Sequence, residues 1–299
     1  MKELTTATQN GGSVASAMQA SNAAAGTKAT LKKGNREVIT DYYVASDISG
    51  EKFSYRVFVR LNAKKIKFTK VSFQHCIFEG CYFNGCVFDS CDFTGCRFIG
   101  SNLHLSAFSG CKFDYATFER TYVEDDILLS EAPKEENLKM RFARSLRMNY
   151  QQIGDAKAVN RAISVELDAT SVYLYKSWCS HESYYKQKYP GLIKSGVQFL
   201  KWVEFWILDF LWGNGESIIK LMRTIVFGLI AIGIYDTSKN GDALNIADYW
   251  NSFAGAPAVF LGASSPQSFS VVALSAIAGG RLVTIALLTA LLVKRFSRR

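Results

Sequence analysis

The sequence is poor in the residues from which enzyme sites are usually built. It holds only three histidines and four prolines in 299 residues, and no Gly-rich phosphate loop or nucleophile elbow. We therefore expect no enzymatic activity, no cofactor and no metal site. The net charge is +9, but no Lys and Arg cluster is interleaved with aromatic residues, so we expect no nucleic-acid partner.

The start of the chain lacks an apolar stretch. Residues 1–35 are rich in Ala, Ser, Thr and Gly, which predicts a disordered N-terminal arm rather than a signal peptide or a membrane span. The seven cysteines are an odd number, and six of them lie between residues 76 and 111. This distribution argues against a disulfide framework.

A five-residue repeat fills residues 66–123. Ten of the 21 phenylalanines fall in this register, and a small or apolar residue lies two positions before each. A period of five fits neither a helix nor a flat strand, so it predicts a solenoid with these two positions inside. The repeated positions are Phe68, Phe73, Phe78, Phe83, Phe88, Phe93, Phe98, Leu103, Phe108, Phe113 and Phe118.

This register resembles that of the pentapeptide-repeat family over eleven consecutive repeats. The resemblance implies a right-handed quadrilateral β-helix with four repeats per coil, hence about three coils over residues 66–123. Asn84-Gly85 and Thr94-Gly95 suit tight corners. Alternating apolar residues in 36–65 predict strands that form a β cap on this β-helix.

The cysteines of the repeat allow two interpretations. Cys81, Cys86, Cys91 and Cys96 would all point inward, as a metal or redox site requires. The alternative is that each thiol fills space beside a Phe ring. We favour the second, because the Phe column occupies the axis on which metal ligands would converge. Mimicry of DNA is not expected, since the repeat carries five basic and five acidic residues.

Residues 124–196 change to a helical pattern. Leu138, Phe142, Leu146 and Tyr150 recur every four residues, and Asp155 is a suitable N-cap for a second helix. The pair resembles a tetratricopeptide-type hairpin, which would bind peptides. We favour a helical linker that joins the β-helix to a membrane module.

Residues 197–213 predict an amphipathic helix lying at a membrane interface. Its polar side chains occupy one arc of a helical wheel, and Trp202, Trp206 and Trp212 are candidate interfacial anchors. The alternative is burial in a globular core. The polar residues of the arc are Gln198, Lys201, Glu204 and Asp209.

Two apolar segments follow, at residues 218–235 and 269–293, and each is long enough to cross a bilayer. Acidic residues lie between them and basic residues follow the second. The positive-inside rule then places both termini in the cytoplasm of a multi-pass protein.

The connection between the two spans has no charged residue from 249 to 280. Its first part, 249–266, is too short to span and is interrupted by Gly255, Pro257 and Gly262. Such a segment fits a re-entrant loop, which is tolerated only beside protein or water. Residues 214–299 therefore predict a two-span pore module.

A second resemblance rests on Gly213-Asn214-Gly215-Glu216-Ser217, on Pro266 and on residues 279–298. These are similar to the two-span ion channel family. Residues 146–166 also resemble the helical linker of bacterial proteins that join pentapeptide repeats to such a module. The resemblance implies a homotetramer in the lipid bilayer of the bacterial inner (plasma) membrane that conducts inorganic ions. Its β-helix would meet an unknown cytoplasmic protein or ligand.

The candidate filter departs from the Thr-Val-Gly-Tyr-Gly motif of potassium channels. Only one Gly matches, and a Ser stands at the second Gly position, where a positive φ is disfavoured. The sequence therefore leaves three possibilities open: a weakly cation-selective pore, an anion-selective pore, or a wide pore. The candidate filter residues are Phe260, Leu261, Gly262, Ala263, Ser264 and Ser265.

The second span carries three candidate gate or hinge residues, Gly279, Gly280 and Arg281. An arginine in mid-span is costly and marks a functional position by default. It could face the lumen, or pair with Asp236, Asp248 or the carbonyls that end the re-entrant segment. The glycines could form a hinge or allow close helix packing. The alternative to a channel is a membrane-anchored scaffold or binding protein whose pore module does not conduct.

Overall fold

A computed structural model of the chain describes residues 36–242 and 245–297. The predicted N-terminal arm, residues 1–35, lies outside the described residues, as do Arg298 and Arg299. The first part is built from short strands. These are β1 (Val38–Thr40), β2 (Tyr43–Val44), β3 (Ile48–Ser49), β4 (Val57–Val59), β5 (Asn62–Lys64), β6 (Lys67–Thr69), β7 (Ile77–Glu79), β8 (Tyr82–Asn84), β9 (Val87–Asp89), β10 (Arg97–Ile99), β11 (Ala107–Ser109) and β12 (Thr117–Glu119).

All the strand pairs of the described residues are parallel, and each residue lies beside one about twenty positions away. Phe78 pairs with Phe58 on one side and Phe98 on the other. Three sheets run in the orders β1-β4-β7-β10-β12, β11-β9-β6-β3 and β2-β5-β8. Isolated bridges joining Lys52, Ser72, Asp92 and Lys112 form the fourth side. The predicted β-solenoid is confirmed.

The predicted β cap is part of the solenoid itself. β1 pairs with β4, β2 with β5 and β3 with β6, so residues 36–65 form the first coil and begin the second. The solenoid therefore has about four coils, since the repeats of residues 66–123 continue a path that starts earlier. The alternation of apolar residues predicted these strands but not the strands with which they pair.

The core of the solenoid is a set of stacked Phe columns. In one column Phe78 lies 4.9 Å from Phe98, and Phe98 lies 4.9 Å from Phe118, measured between ring centroids. Neighbouring columns meet edge to face, as Phe78 and Phe83 do at 5.5 Å. This offset and T-shaped packing is the preferred geometry of aromatic pairs, and it repeats along the axis.

Each corner is made by a residue with positive φ, two positions after the central Phe. Gly85 and Gly95, which the sequence suggested as corner residues, have φ of 65° and 70°. At Gly95 the requirement is also spatial, because a Cβ there would lie 2.4 Å from Nδ1 of His75 in the coil before. The ring of His75 in turn stacks on Tyr55 at 4.9 Å.

The second part of the chain is helical. α1 is a single turn after the solenoid, α2 and α3 form the expected hairpin, and the remaining helices follow with short connections. Their bounds are α1 (Ile127–Ser130), α2 (Glu136–Ile153), α3 (Ala156–Cys179), α4 (Ser183–Lys188), α5 (Gly191–Trp212), α6 (Ile218–Asn240), α7 (Ile246–Leu261) and α8 (Val271–Ser297).

The hairpin has the predicted caps. α2 ends at Gly154, which has a φ of 80°, and the carboxylate of Asp155 accepts a hydrogen bond from the backbone N–H of Ala158 at 2.9 Å. Both helices share one hydrophobic core with the solenoid, running from Phe58 to Val165. The hairpin is therefore packed on the β-helix and is not a free spacer.

Two of the helices, α6 and α8, are long and apolar enough to cross a membrane. Both extend beyond the segments expected from the sequence at their carboxyl ends. Between them, α7 runs without a break through Gly255 and Pro257 and ends at Gly262, whose φ is 79°. The segment predicted as a re-entrant loop is therefore a 16-residue helix followed by irregular chain.

Candidate functional site

The last coil of the solenoid ends on polar side chains of α2. The Asn149 side chain accepts a hydrogen bond from the backbone N–H of Thr121 at 2.7 Å and donates one to its carbonyl at 2.7 Å. The Asn149 amide thus makes with Thr121 the two hydrogen bonds that the backbone of a further coil would make. Ser145 and Gln152 accept hydrogen bonds from the backbone N–H groups of Phe118 and Arg120. The open sheet edge is thereby capped.

The sequence interpretation missed this cap, although a signal was present. Asn149 lies three residues after Leu146, on the apolar face of α2, and both are fully buried. A buried amide requires hydrogen-bond partners, because leaving one unpaired costs about 1–3 kcal/mol. Phe142 completes the cap by covering the end of the Phe columns, 5.7 Å from Phe113.

The inward cysteines donate to the backbone. Each of the six buried thiols lies within hydrogen-bond distance of a carbonyl 23 positions earlier in the chain. Examples are Cys86 to Ala63 at 3.2 Å and Cys96 to Phe73 at 2.9 Å. Burial raises the pKa of the Cys81 thiol to about 11, so it stays protonated. Within the described residues no group of three metal-ligating side chains converges. The geometry fits the space-filling interpretation.

Ser101 and Ser106 occupy the same inward position and donate their hydroxyl protons to the carbonyls of Phe78 and Phe83. Cys and Ser at this position both supply a small side chain with one donor, whereas Val71 and Ala116 fill it without a donor.

The three predicted interfacial anchors have different surroundings. Trp202 packs against Trp178 of α3, with the ring centroids 5.6 Å apart. Trp206 is 57% exposed. The indole N–H of Trp212 is buried without a hydrogen-bond partner. Only Trp206 is thus positioned on an open surface of this chain.

The polar arc of α5 is also divided. Lys201 and Glu204 are exposed, but Gln198 is buried, and Asp209 forms an ion pair with Lys220 of α6 at 2.7 Å. An apolar strip of α5 remains uncovered by this chain. It contains Leu192, Ile193, Val197, Leu200 and Ile207.

α6 and α7 pack closely because Gly233 lets the backbones approach. A Cβ at Gly233 would lie 3.3 Å from the backbone of Phe253. Ile232, Ala256 and Phe269 form the small buried core of this region. Such small-residue contacts are typical of helices that associate in a bilayer.

The candidate filter residues begin at the end of α7. The backbone N–H groups of Ala263 and Ser264 both donate to the carbonyl of Ala258, at 2.8 and 3.2 Å. Residues 262–264 therefore form a helix cap rather than an extended row of carbonyls. Phe260 is half-buried, and Leu261, Gly262, Ala263, Ser264 and Ser265 are exposed.

The chain after the cap is fixed to α6. Phe269 is buried and meets the ring of Tyr235 edge to face at 4.9 Å. Asn240 donates from its amide to Asp236 at 2.7 Å and to Ser268 at 2.8 Å. Residues 262–270 are thus held between α6 and α8.

Arg281 lies against this cap. A Cβ built on Gly262 would be 2.0 Å from Nη1 of Arg281 and 3.2 Å from its guanidinium carbon. In the described part of the chain Arg281 makes no salt bridge. The suggested carboxylates have other partners, because Asp248 accepts from the N–H of Asp242 and Asp236 accepts from Asn240. In the described part of the chain the guanidinium thus lies beside Gly262, at the carbonyl end of α7, and is not paired with Asp236 or Asp248.

Gly279 and Gly280 lie inside the continuous helix α8. A Cβ at either position would meet no atom within 4 Å, so packing within this chain does not require a glycine there. The carbonyl of Gly280 accepts a hydrogen bond from the hydroxyl of Thr284 at 2.8 Å.

The start of α6 and the end of α8 meet at the linker of residues 213–217. Lys294 donates to the carbonyl of Gly215 at 3.0 Å and forms an ion pair with Glu216. Beside this contact is a cavity of about 550 Å³ between α3, the linker and α8. Its walls include Asn160, Asp168, Glu216, Leu291 and Arg295.

Comparison with known proteins supports the repeat. The family model for pentapeptide repeats matches residues 66–104 in eight copies. No curated protein matches the chain. Among the solved structures, the chain is similar to a trypsin-treated variant of QnrB1, a plasmid-mediated fluoroquinolone resistance protein, at 14% identity and a TM-score of 0.18. The match covers 30% of this chain and 64% of that one.

The chain therefore contains a β-solenoid with pentapeptide repeats, followed by a helical region with two apolar helices of membrane-spanning length. Those helices weakly suggest membrane anchoring.

Proposed function

We propose that this chain is the subunit of an ion channel in the bacterial inner membrane, with a cytoplasmic solenoid that docks a protein or ligand. One observation carries the proposal. A short apolar helix, α7, packs against one long apolar helix and returns through residues 262–270 to another. A helix that enters a bilayer and turns back needs protein or water beside it, and a central pore supplies both.

The lengths of the helices support this arrangement. At about 1.5 Å per residue, the 16 residues of α7 reach about 24 Å, whereas α6 and α8 reach about 35 and 40 Å. The hydrocarbon layer is about 30 Å thick. α6 and α8 are long enough to cross it, and α7 is too short.

The contact between Lys294 and the linker supports a hairpin topology. It joins the carboxyl end of α8 to the chain just before α6. The start of α6 and the end of α8 therefore lie on the same side of the membrane. Lys294 and Arg295 are basic and follow the second span, which favours the cytoplasm for that side. The solenoid precedes the same linker and is then cytoplasmic.

The surface of α8 supports assembly with further copies. Little of its span is buried within the chain, Leu291 near its carboxyl end being an exception, and Val271, Val272 and Leu282 are among its most exposed side chains. One subunit cannot enclose a passage with a single re-entrant helix. We propose a homotetramer, in which part of α8 contacts neighbouring copies and the rest faces lipid.

The test has two parts. The mass of the purified full-length protein in detergent should correspond to four chains, and planar-bilayer recording should show discrete conductance steps. A variant ending before α6 is the matched control and should give no conductance. A monomer without conductance at any voltage would refute the proposal.

A membrane-anchored scaffold is the second candidate. It is favoured by the backbone of residues 262–264, which forms a helix cap rather than a row of carbonyls that could replace the hydration shell of an ion. A scaffold should be a monomer or dimer, and its solenoid should still capture its partner after deletion of residues 218–299.

A further inference from the structure

The guanidinium of Arg281 lies beside the candidate filter, at the point where α7 ends. The distance of 2.0 Å from a Cβ built on Gly262 to Nη1 shows that the group occupies the space next to that glycine. Gly262 itself is exposed and has a φ of 79°. A guanidinium group carries one positive charge.

Carboxylates near this charge are few. No charged residue occurs between 249 and 280. Asp248 lies fourteen residues before Gly262, at the other end of α7, which is about 21 Å away along the helix. Asp236 is engaged with Asn240. Arg281 is thus not paired with a carboxylate in the described part of the chain.

The guanidinium lies beside Gly262, at the carbonyl end of α7. The dipole of a helix places about −0.5 charge at its carboxyl end. This offsets about half of the guanidinium charge, and a net positive charge remains at each subunit. The filter backbone does not reverse it, because the cap turns N–H groups of Ala263 and Ser264 back to Ala258 and offers no extended carbonyl row.

We propose that Arg281 makes the pathway selective for small monovalent anions. The proposal rests on the proposed channel function and names the ion that it conducts. A net charge of about +0.5 at ~5 Å in water enriches a monovalent anion about twofold, and four subunits together enrich it roughly fifteenfold. Cations are depleted by the same factor. The ring of four arginines thereby selects the permeant ion, as filter carbonyls do in a potassium channel, but it selects anions instead of cations.

The test is the reversal potential of the full-length channel in a planar bilayer with a potassium chloride gradient. The wild-type protein should reverse near the chloride equilibrium potential. Arg281→Lys retains the charge, so the reversal potential of this variant should have the same sign as that of the wild type. Arg281→Gln should bring the permeability ratio close to unity, and Arg281→Glu should favour potassium. Lys239→Gln is the matched control, because it removes one positive charge at the end of α6 and should not move the reversal potential.

A second variant moves the charge without removing it. In Gly262→Ala the new Cβ would displace the guanidinium, and the positive φ disfavours alanine. We expect the anion preference to fall at least severalfold. The mass of each variant in detergent verifies its assembly. A wild-type channel that prefers potassium would refute the role of Arg281 and leave the channel function standing. Absence of any conductance would refute the channel function and this inference together.

Discussion

The cap on the last coil gives the most direct test of how the solenoid is terminated. In Asn149→Ala the side chain that pairs with both backbone groups of Thr121 is lost. Both residues are fully buried, so water does not replace the two hydrogen bonds of 2.7 Å without a rearrangement. The N–H and C=O of Thr121 are then unsatisfied.

The expected cost follows from those two groups. Each unsatisfied buried backbone group costs about 1–3 kcal/mol, and truncation also leaves a small cavity. We expect the opening free energy of the last coil to fall by about 3 kcal/mol, which is roughly 150-fold in the opening equilibrium. Asn149→Asp should cost at least as much, since it keeps the acceptor but replaces the donor with a buried negative charge.

Amide hydrogen exchange of the full-length protein measures this quantity locally. Exchange of residues 117–123 should accelerate by about two orders of magnitude in Asn149→Ala. The matched control is Gln152→Ala, which loses one hydrogen bond of 3.0 Å to the exposed Arg120 and should change exchange no more than about threefold. Equal effects in the two variants would show that Asn149 does not replace a strand.

Three further predictions concern the thiols and the linker. Cys86→Ser should destabilise the solenoid by less than about 1.5 kcal/mol in a thermal melt, since the hydroxyl still reaches the carbonyl of Ala63; a collapse of the fold would contradict the space-filling interpretation. The pKa of the Cys81 thiol is raised to about 11 from 9.0. The stability gained by keeping this thiol protonated is therefore complete below pH ~9 and is lost as the pH rises to ~11, by about 2–3 kcal/mol at most. Comparing the alkaline unfolding of the wild type with that of Cys81→Ser measures this loss. Lys294→Glu and Glu216→Lys should each increase protease cleavage near the end of α8, and the double exchange should restore protection. No recovery in the double variant would show that the ion pair does not hold that end.

The repeat could be predicted from sequence because its register is local and redundant. Each pentapeptide places a Phe inward, and the same choice recurs many times, so single departures such as Leu103 do not obscure it. The corners could be predicted for a similar reason, since Gly85 and Gly95 satisfy a backbone requirement within one repeat. The helical hairpin was marked by Gly154 and Asp155.

The partners across the chain could not be predicted in the same way. Residues 36–65 lack regular Phe, so their pairing with coils twenty residues later was hidden. Asn149 and Thr121 are 28 residues apart, and no spacing rule connects a helix side chain to a strand edge. Gly255 and Pro257 looked like breaks, yet α7 continues through both, which shows that packing on α6 can override local helix preferences.

The hydrophobic core of the solenoid continues into the helices that follow it. Hydrophobic contacts are continuous from the first Phe columns through Phe142 into α3, and a close-packed core of this kind moves as a unit. At its far end α3 carries Trp178, which lies 5.1 Å from Phe199 of α5, centroid to centroid. α5 in turn is joined to α6 by the ion pair of Asp209 and Lys220. Under the proposed docking function, a partner that tilted the solenoid would displace α3 with it, and that displacement would be applied at the interface between α3 and α5. Mutating Trp178 to Ala should uncouple partner binding from any change in α6 while leaving binding to the solenoid intact, a separation that double-mutant cycles with Lys220 can measure.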